Sequence, residues 1–390
     1  MSAPAELQSA YHTALLDWLG CAARGWDEPA ARAARGLGDG LHERLVAAGT
    51  AGHVLDFDDT FLPGLSHLSA PTAPAALVLG AELGSSIADA LAAFAAGFEA
   101  MGAVARASHP ALYHAGWHPT AVCGVVGAAT VAARLLELDA ERERAAVAIG
   151  LLRAGGLRAA FGSDGKALQV GMASAAGVLG ARLAEQGAAV PLEAVAGSEA
   201  GFAAAFGGRF AEPSTDAPAV RENWIKAWPC CLQTHGAIEV AARARADGLE
   251  AGAEVEVTVH PIAVAAAPFS AEVSTGLEAK FSIPYTTAIT LLRGAPGVED
   301  FRAVDPEVVA LASRHVQVRT DAGMAESEAV LAGAGLDPVC VEAALGSPLR
   351  PMGPDALEDK LRGLAGDRLD GALDDAERPA RSLLEAAGLG

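Results

Sequence analysis

Residues 253–260, Ala-Glu-Val-Glu-Val-Thr-Val-His, alternate apolar and polar side chains strictly. A strand turns successive side chains to opposite faces, so Val255, Val257 and Val259 predict a half-buried strand. Up to about residue 220 no stretch reads this way. Apolar residues there recur near helical spacing: Leu7, Tyr11, Leu15, Leu16 and Leu19 within 4–24, then 29–48, 72–83, 87–104, 119–135, 139–152 and 170–186. Several of these segments are Ala-rich and apolar all round, which places them inside a bundle. Beyond the alternating stretch, 284–293 and 305–313 predict helices, and His315-Val-Gln-Val-Arg319 predicts a second strand. After Pro348 and Pro351 the pattern is helical again over 354–388, starting from a cap at Pro354-Asp355. The expected fold is mainly α with an α+β part. A large helical domain spans 1–221 and is completed by 351–390, and a smaller α/β domain spans 222–350.

The chain has 390 residues, enough for two domains, since single cores stop growing near ~250–300 residues. It is 52% hydrophobic and 19% charged, which describes a globular protein with a large core. Its formal net charge of −20 argues against nucleic acid as a partner, because phosphate binding needs clustered Lys and Arg. Cys21, Cys123, Cys230, Cys231 and Cys340 form no CxxC pair, so neither a disulfide framework nor a structural zinc site is expected. A cytoplasmic location follows from that and from an N-terminus without a signal peptide. Apolar runs such as 86–98 are broken by Asp89 and Gly97 and read as buried helices, not membrane spans.

Polar groups are concentrated in a few places. The densest is His53-Val-Leu-Asp-Phe-Asp-Asp-Thr-Phe-Leu-Pro-Gly-Leu-Ser-His67. The others are Tyr113-His-Ala-Gly-Trp-His-Pro-Thr120, Arg158 to Lys166 with Gln169 beyond, Trp224 to His235, and Glu278 to Tyr285. His114 and His118 are four apart, but Gly116 and Pro119 break the helix that a metal pair would need, so no metal is expected. No G-x-S-x-G elbow and no G-x-G-x-x-G after a strand is present. Taken together, the imidazoles, carboxylates and isolated lysines suit proton transfer next to a carboxylate, without an organic cofactor.

These segments resemble the MmgE/PrpD family. The likeness rests on His53-x-x-Asp-Phe-Asp-Asp-Thr60, Gly116-Trp-His-Pro-Thr120, Lys166-x-x-x-x-Gly171, Lys226-x-x-Pro-Cys-Cys-x-x-x-His235 and Ala279-Lys-Phe-Ser-Ile-Pro-Tyr285, in that order. The resemblance implies a helical domain with an inserted α/β lid, a homodimer, no metal, and a site at the cleft between the domains. It implies active-site positions at Asp56, Thr60, His67, His118 and Tyr285. It also implies carboxylate-holding lysines at Lys166 and Lys226 and places Cys231 at a position that varies in the family; Arg158 and His53 are added as further candidates for binding the substrate. Leu62 and Gln169 stand where the family often has histidines, and Asp58 stands where the dehydratases carry Asn.

The resulting expectation is a cofactor-independent enzyme taking a small anionic carboxylate. Dehydration like that of 2-methylcitrate dehydratase ranks first, with epimerisation and decarboxylation as alternatives using the same groups. One of His67 and His118 acts as base, and the other, or Tyr285, as acid. Asp56 orients an imidazole, while Asp58 and Asp59 cap and fix the loop. A non-catalytic binding protein is the alternative from another class, favoured by Leu62 and Gln169.

Overall fold

The computed structural model describes residues 5–197, 199–333 and 335–390. The chain divides into two units. The first runs to Val54, resumes over Asp58–Ile225 and closes with Gly353–Gly390; the second holds Leu55–Phe57 and Lys226–Met352.

The first unit carries α1 (Ala5–Gly25), α2 (Pro29–Arg35), α3 (Leu41–His53), β1 (Thr60–Phe61), α4 (Ser69–Leu83), α5 (Ile87–Ser108), α6 (Ala111–His114), α7 (Pro119–Leu135), α8 (Ala140–Leu151), α9 (Gly165–Glu185), α10 (Leu192–Gly197), α11 (Phe202–Phe206) and β2 (Asn223–Trp224). The single helix expected over 29–48 is two helices. Gly36, Gly38 and Gly40 interrupt it, and Gly38 has φ 137°, a conformation that ends a helix. Helix α9 begins at Gly165, five residues earlier than its apolar pattern, so Lys166 and Gln169 stand on its first turns. The expectation of no strand before about 220 also gives way, because Thr60 pairs antiparallel with Trp224 and Phe61 with Asn223. A two-residue ladder is too short for alternation to register in sequence.

Small residues let these helices approach closely. A Cβ on Gly171 of α9 would lie 2.3 Å from the Val46 carbonyl oxygen of α3, and one on Gly177 would lie 2.6 Å from the backbone nitrogen of Ala129 in α7. Around these contacts runs one apolar core including Leu15, Trp18, Leu77, Phe94, Phe98 and Val131. Helices α5 and α9 have the length and hydropathy of a membrane span, α5 being longer than the broken run read from sequence, but 56% and 61% of those windows are buried in the protein.

The second unit contains α12 (His235–Ala246), β3 (Val255–Val259), α13 (Pro261–Ala266), α14 (Gly276–Ala279), α15 (Ile283–Arg293), α16 (Pro306–His315), β4 (Val316–Thr320), β5 (Ala329–Gly333) and β6 (Leu336–Val341). Its sheet has the order β4-β3-β5-β6. The pair β3–β4 is parallel, so α13 to α16 lie in the crossover that parallel strands require. The other two pairs are antiparallel. The alternating stretch forms β3, one of the two inner strands, where Val255, Val257 and Val259 are buried and Glu256 and Thr258 are partly exposed. Strands β5 and β6 carry no such clean alternation and were not legible beforehand.

The chain then returns to the first unit with α17 (Pro354–Ala365) and α18 (Arg381–Ala387). Gly353 is the cap of α17 and Pro354 its first residue, which corrects the start expected at Pro354-Asp355: proline's missing N–H costs nothing at that position. The fold is mainly α with an α+β part.

Candidate active site

The first polar segment begins where α3 ends. His53 is the last residue of that helix, buried, with Nδ1 2.8 Å from Asp58 Oδ2. A short turn, closed by backbone hydrogen bonds between Phe61 and Ser66, brings His67 to the same place. Its Nδ1 lies 2.6 Å from the Asp59 carbonyl oxygen and 3.4 Å from Asp58 Oδ2, and its backbone N–H donates to Thr120 Oγ1 at 3.1 Å. A carbonyl and an ionised carboxylate only accept, so both imidazoles carry their proton on Nδ1. In the neutral rings Nε2 is then the basic nitrogen.

The adjacent acids Asp58 and Asp59 are electrostatic opposites. Burial alone would raise Asp58, but the neighbouring His53 and His67 outweigh it and hold the carboxyl well below the usual range. Burial pushes Asp59 up to about 7, with Asp58 and Asp17 adding to the rise and hydrogen bonds from Ser69 and Asn223 opposing it. Asp59 receives Ser69 N–H at 3.2 Å, Ser69 Oγ at 2.5 Å and Asn223 Nδ2 at 2.9 Å, tethering the start of α4 and β2. His53, Asp58 and His67 each offer an atom to a cation within 4.8 Å of one another. Both Nδ1 atoms, however, have their lone pairs covered by protons donated to oxygen. The arrangement is a hydrogen-bonded carboxylate flanked by two imidazoles.

His118 caps α7, with Pro119 at its first position. Residues 116–118 run beside 156–158: His118 N–H donates to the Gly156 carbonyl and Arg158 N–H to the Gly116 carbonyl, each at 3.0 Å. This pairing joins the second polar segment to the third. Gln169 then places Nε2 2.7 Å from His118 Nδ1, while its Oε1 accepts from Leu157 N–H at 2.9 Å. The rings form a row. His67 meets His53 edge-on at 4.6 Å between centroids, His53 stacks on His118 at 6.0 Å, and His118 meets Phe161 at 4.9 Å. Lys166 Nζ ends the row, 5.7 Å from the Phe161 ring. Burial, then His53, Lys166 and His67, lower His118 well below the ordinary histidine range, with Asp58 in opposition. His118 is therefore neutral at pH 7. Among the described residues, His53 Nε2, Asp58 Oδ1, Thr60 Oγ1 and Ser66 Oγ are buried without a hydrogen-bond partner.

Residues 42–213 match the MmgE/PrpD N-terminal domain and residues 228–386 the MmgE/PrpD C-terminal domain. The chain belongs to the MmgE/PrpD family. Cis-aconitate decarboxylase of Homo sapiens is 30% identical to it over 210 residues, covering 50% of this chain and 43% of that protein. The Mus musculus protein of the same name is 28% identical over 285 residues, covering 65% and 55%. The chain spans about half the length of the curated relatives it matches.

In this MmgE/PrpD protein the expected site residues divide between the units: His53, Thr60, His67, His118, Arg158 and Lys166 in the first, Asp56, Lys226, Cys231 and Tyr285 in the second. The carboxylate shown against the imidazoles of His53 and His67 is Asp58. Asp56 has φ 56°, a left-handed turn that Asp tolerates, and the chain re-enters the first unit only at Asp58. Asp56 instead meets Lys226, whose Nζ lies 3.1 Å from Oδ1 and 2.8 Å from the Asp56 carbonyl oxygen. Lys280 Nζ reaches the Leu55 carbonyl at 2.6 Å, so two buried lysines hold residues 55–57.

Tyr285 is fully buried in an apolar cluster with Ile289, Phe301 and Val308, and its hydroxyl accepts from Asp305 N–H at 3.1 Å. Cys231 is buried with Sγ 3.8 Å from the Ala266 carbonyl. The Arg158 guanidinium stacks 3.5 Å above Tyr113 and donates to its carbonyl at 2.8 Å. Sequence reading missed Asp58 as the imidazole partner, along with Thr120, Lys280 and the contact of Gln169. For Lys280 a signal existed. Only four of the 28 basic residues are lysines, at 166, 226, 280 and 360, and all four side chains are buried. Arginine covers the surface, so a lysine here marks an interior charge.

Proposed function

We propose that this protein is a lyase acting on a small di- or tricarboxylate, transferring a proton at a carbon next to a carboxylate with its own imidazoles. One observation carries this reading: the buried row of His67, His53 and His118 over the ionised Asp58, ending at Lys166. Imidazoles move protons near neutral pH, and an ammonium group attracts a substrate carboxylate. Buried polar atoms seldom lack partners, so His53 Nε2 and the hydroxyls of Thr60 and Ser66 support a polar ligand here.

In this reading His67 and His118 are the acid–base pair, and Asp58 fixes the ring of His67 and raises the basicity of its Nε2. Thr60 hydrogen-bonds the substrate and Lys166 holds one of its carboxylates. Lys226 and Asp56 shape the 55–57 turn. Tyr285 is given no step, because its side chain is fully buried in an apolar cluster. Decarboxylation of an unsaturated tricarboxylate is the first reaction to assay, since both relatives are named cis-aconitate decarboxylase. There the acid delivers a proton to the alkene carbon as carbon dioxide leaves. Dehydration, ranked first on the family resemblance, and epimerisation remove a proton through the same groups.

Proton NMR in deuterated water, with aconitate, citrate, methylcitrate and amino-dicarboxylates, separates the reactions. A new alkene with loss of carbon dioxide marks decarboxylation, an alkene alone dehydration, and deuterium wash-in alone epimerisation. His118→Ala should lower kcat by about 10²–10⁴-fold, with unchanged circular dichroism. Wild-type turnover in that variant would refute the site.

A further inference from the structure

We infer that Gln169 is a positioning residue that sets His118 as the proton donor of the acid–base pair and leaves His67 as the proton acceptor. This rests on the site reading above and adds to it the direction in which each histidine works.

The orientation of the Gln169 amide follows from its neighbours. Oε1 accepts the Leu157 backbone N–H at 2.9 Å, and Nε2 reaches the Leu157 carbonyl at 3.4 Å. Leu157 is itself held by the pairing of 116–118 with 156–158. Flipping the amide would set a donor against the Leu157 N–H and an acceptor against its carbonyl, losing both contacts. With the amide so fixed, the group facing His118 Nδ1 at 2.7 Å is a donor. Nδ1 must accept, and the one proton of the neutral ring stands on Nε2.

His67 has the opposite tautomer. Its Nδ1 proton goes to the Asp59 carbonyl, with Asp58 as a second acceptor, so in the neutral ring its Nε2 bears a lone pair. Two imidazoles of one site thus present unlike nitrogens, N–H from His118 and a lone pair from His67. The charged and titratable groups acting on His118 are His53 at the end of α3, His67 and Asp58 after it, and Lys166 on α9. Burial and three of these four keep it uncharged. A histidine in place of Gln169 could turn either nitrogen toward His118; a glutamine locked on Leu157 cannot.

The test reads the tautomer directly, by nitrogen-15 NMR of ring-labelled protein, with the His118 signals assigned by their loss in His118→Gln. The wild-type ring should show a bare Nδ1 and a protonated Nε2 from pH 6 to pH 8. Gln169→Glu replaces the donor by an acceptor. It should move the proton to Nδ1, raise the pH at which His118 charges, and lower kcat by about 10²-fold or more with little change in KM. Gln169→Leu, which offers neither, should give a mixture of tautomers and an intermediate kcat. A wild-type His118 protonated on Nδ1, or a Gln169→Glu variant with the wild-type tautomer, overturns the inference. Absence of turnover on every carboxylate tried, with the tautomers as stated, overturns the proposed reaction and leaves this assignment standing.

Discussion

At the residue scale, one turn of backbone separates two jobs that look interchangeable in sequence. Asp56 and Asp58 are both acids two positions apart, but the left-handed conformation at Asp56 gives it to Lys226 and gives Asp58 to the imidazoles. Both partners of the Lys226–Asp56 pair are buried, so removing one takes a charge partner from the other in a poor solvent for charge. Lys226→Met should destabilise the protein by about 3–5 kcal/mol in urea unfolding. Adding Asp56→Asn to that variant should recover part of the loss. A single variant as stable as wild type would show that the pair contributes nothing. The motif spacing disclosed that acids and imidazoles gather at 53–67, because composition is local. Which acid serves which base depends on one φ angle and on a lysine 170 positions away in the chain. No pattern of residues carries that.

At the element scale, the site depends on how closely α3 and α9 pack. Helix α3 ends in His53, and α9 carries Lys166 and Gln169 on its first turns. The two touch at Gly49 and Gly171, where a Cβ on either would lie within 3 Å of the other helix. Gly171→Ala places a methyl against the Val46 carbonyl and the Thr50 hydroxyl, so the helices must part. The expected cost is about 1–3 kcal/mol, with a fall in turnover as His53 and Lys166 shift. Gly363→Ala is the matched control: it lies on the exposed face of α17 with no heavy atom within 4 Å, and should stabilise by up to about 1 kcal/mol. Comparable effects from both, in thermal unfolding and in activity, would dismiss the packing account. Helix periodicity showed these elements in advance, since an apolar stripe repeats along each one. The close contacts were hidden, because a glycine in an Ala-rich helix reads the same whether it faces solvent or another backbone.

At the scale of the whole molecule, a net charge of −20 surrounds a proposed site for anions, and the chain answers by burying its lysines at chosen points. Folding stability carries a related signature. The carboxyl of Asp59 is raised from 3.8 to about 7, so the native state holds its proton more tightly than the unfolded chain. Its contribution is full below about pH 4 and is lost as pH rises to about 7. Asp58 acts in the other direction: its lowered carboxyl contributes above the ordinary value and loses that contribution as pH falls. Asp59→Asn should therefore remove a decline of a few kcal/mol between about pH 4 and pH 7. Urea midpoints measured across that range would check it, and parallel curves for variant and wild type would exclude it. The sequence by itself determined the class of fold, the order of helical and alternating segments, the family, and the residue types gathered for chemistry, because periodicity and motif spacing are properties of neighbouring positions. Only the tertiary structure decided that Asp58 lies against the imidazoles while Asp56 meets Lys226, that Tyr285 is buried and accepts from Asp305, and that Gln169 sets the proton on His118. Each of these depends on which groups meet once the backbone is folded, from 5 positions apart for His53 and Asp58, through 51 for His118 and Gln169, to 170 for Asp56 and Lys226, and a hydrogen bond has a direction only when both of its ends are in place.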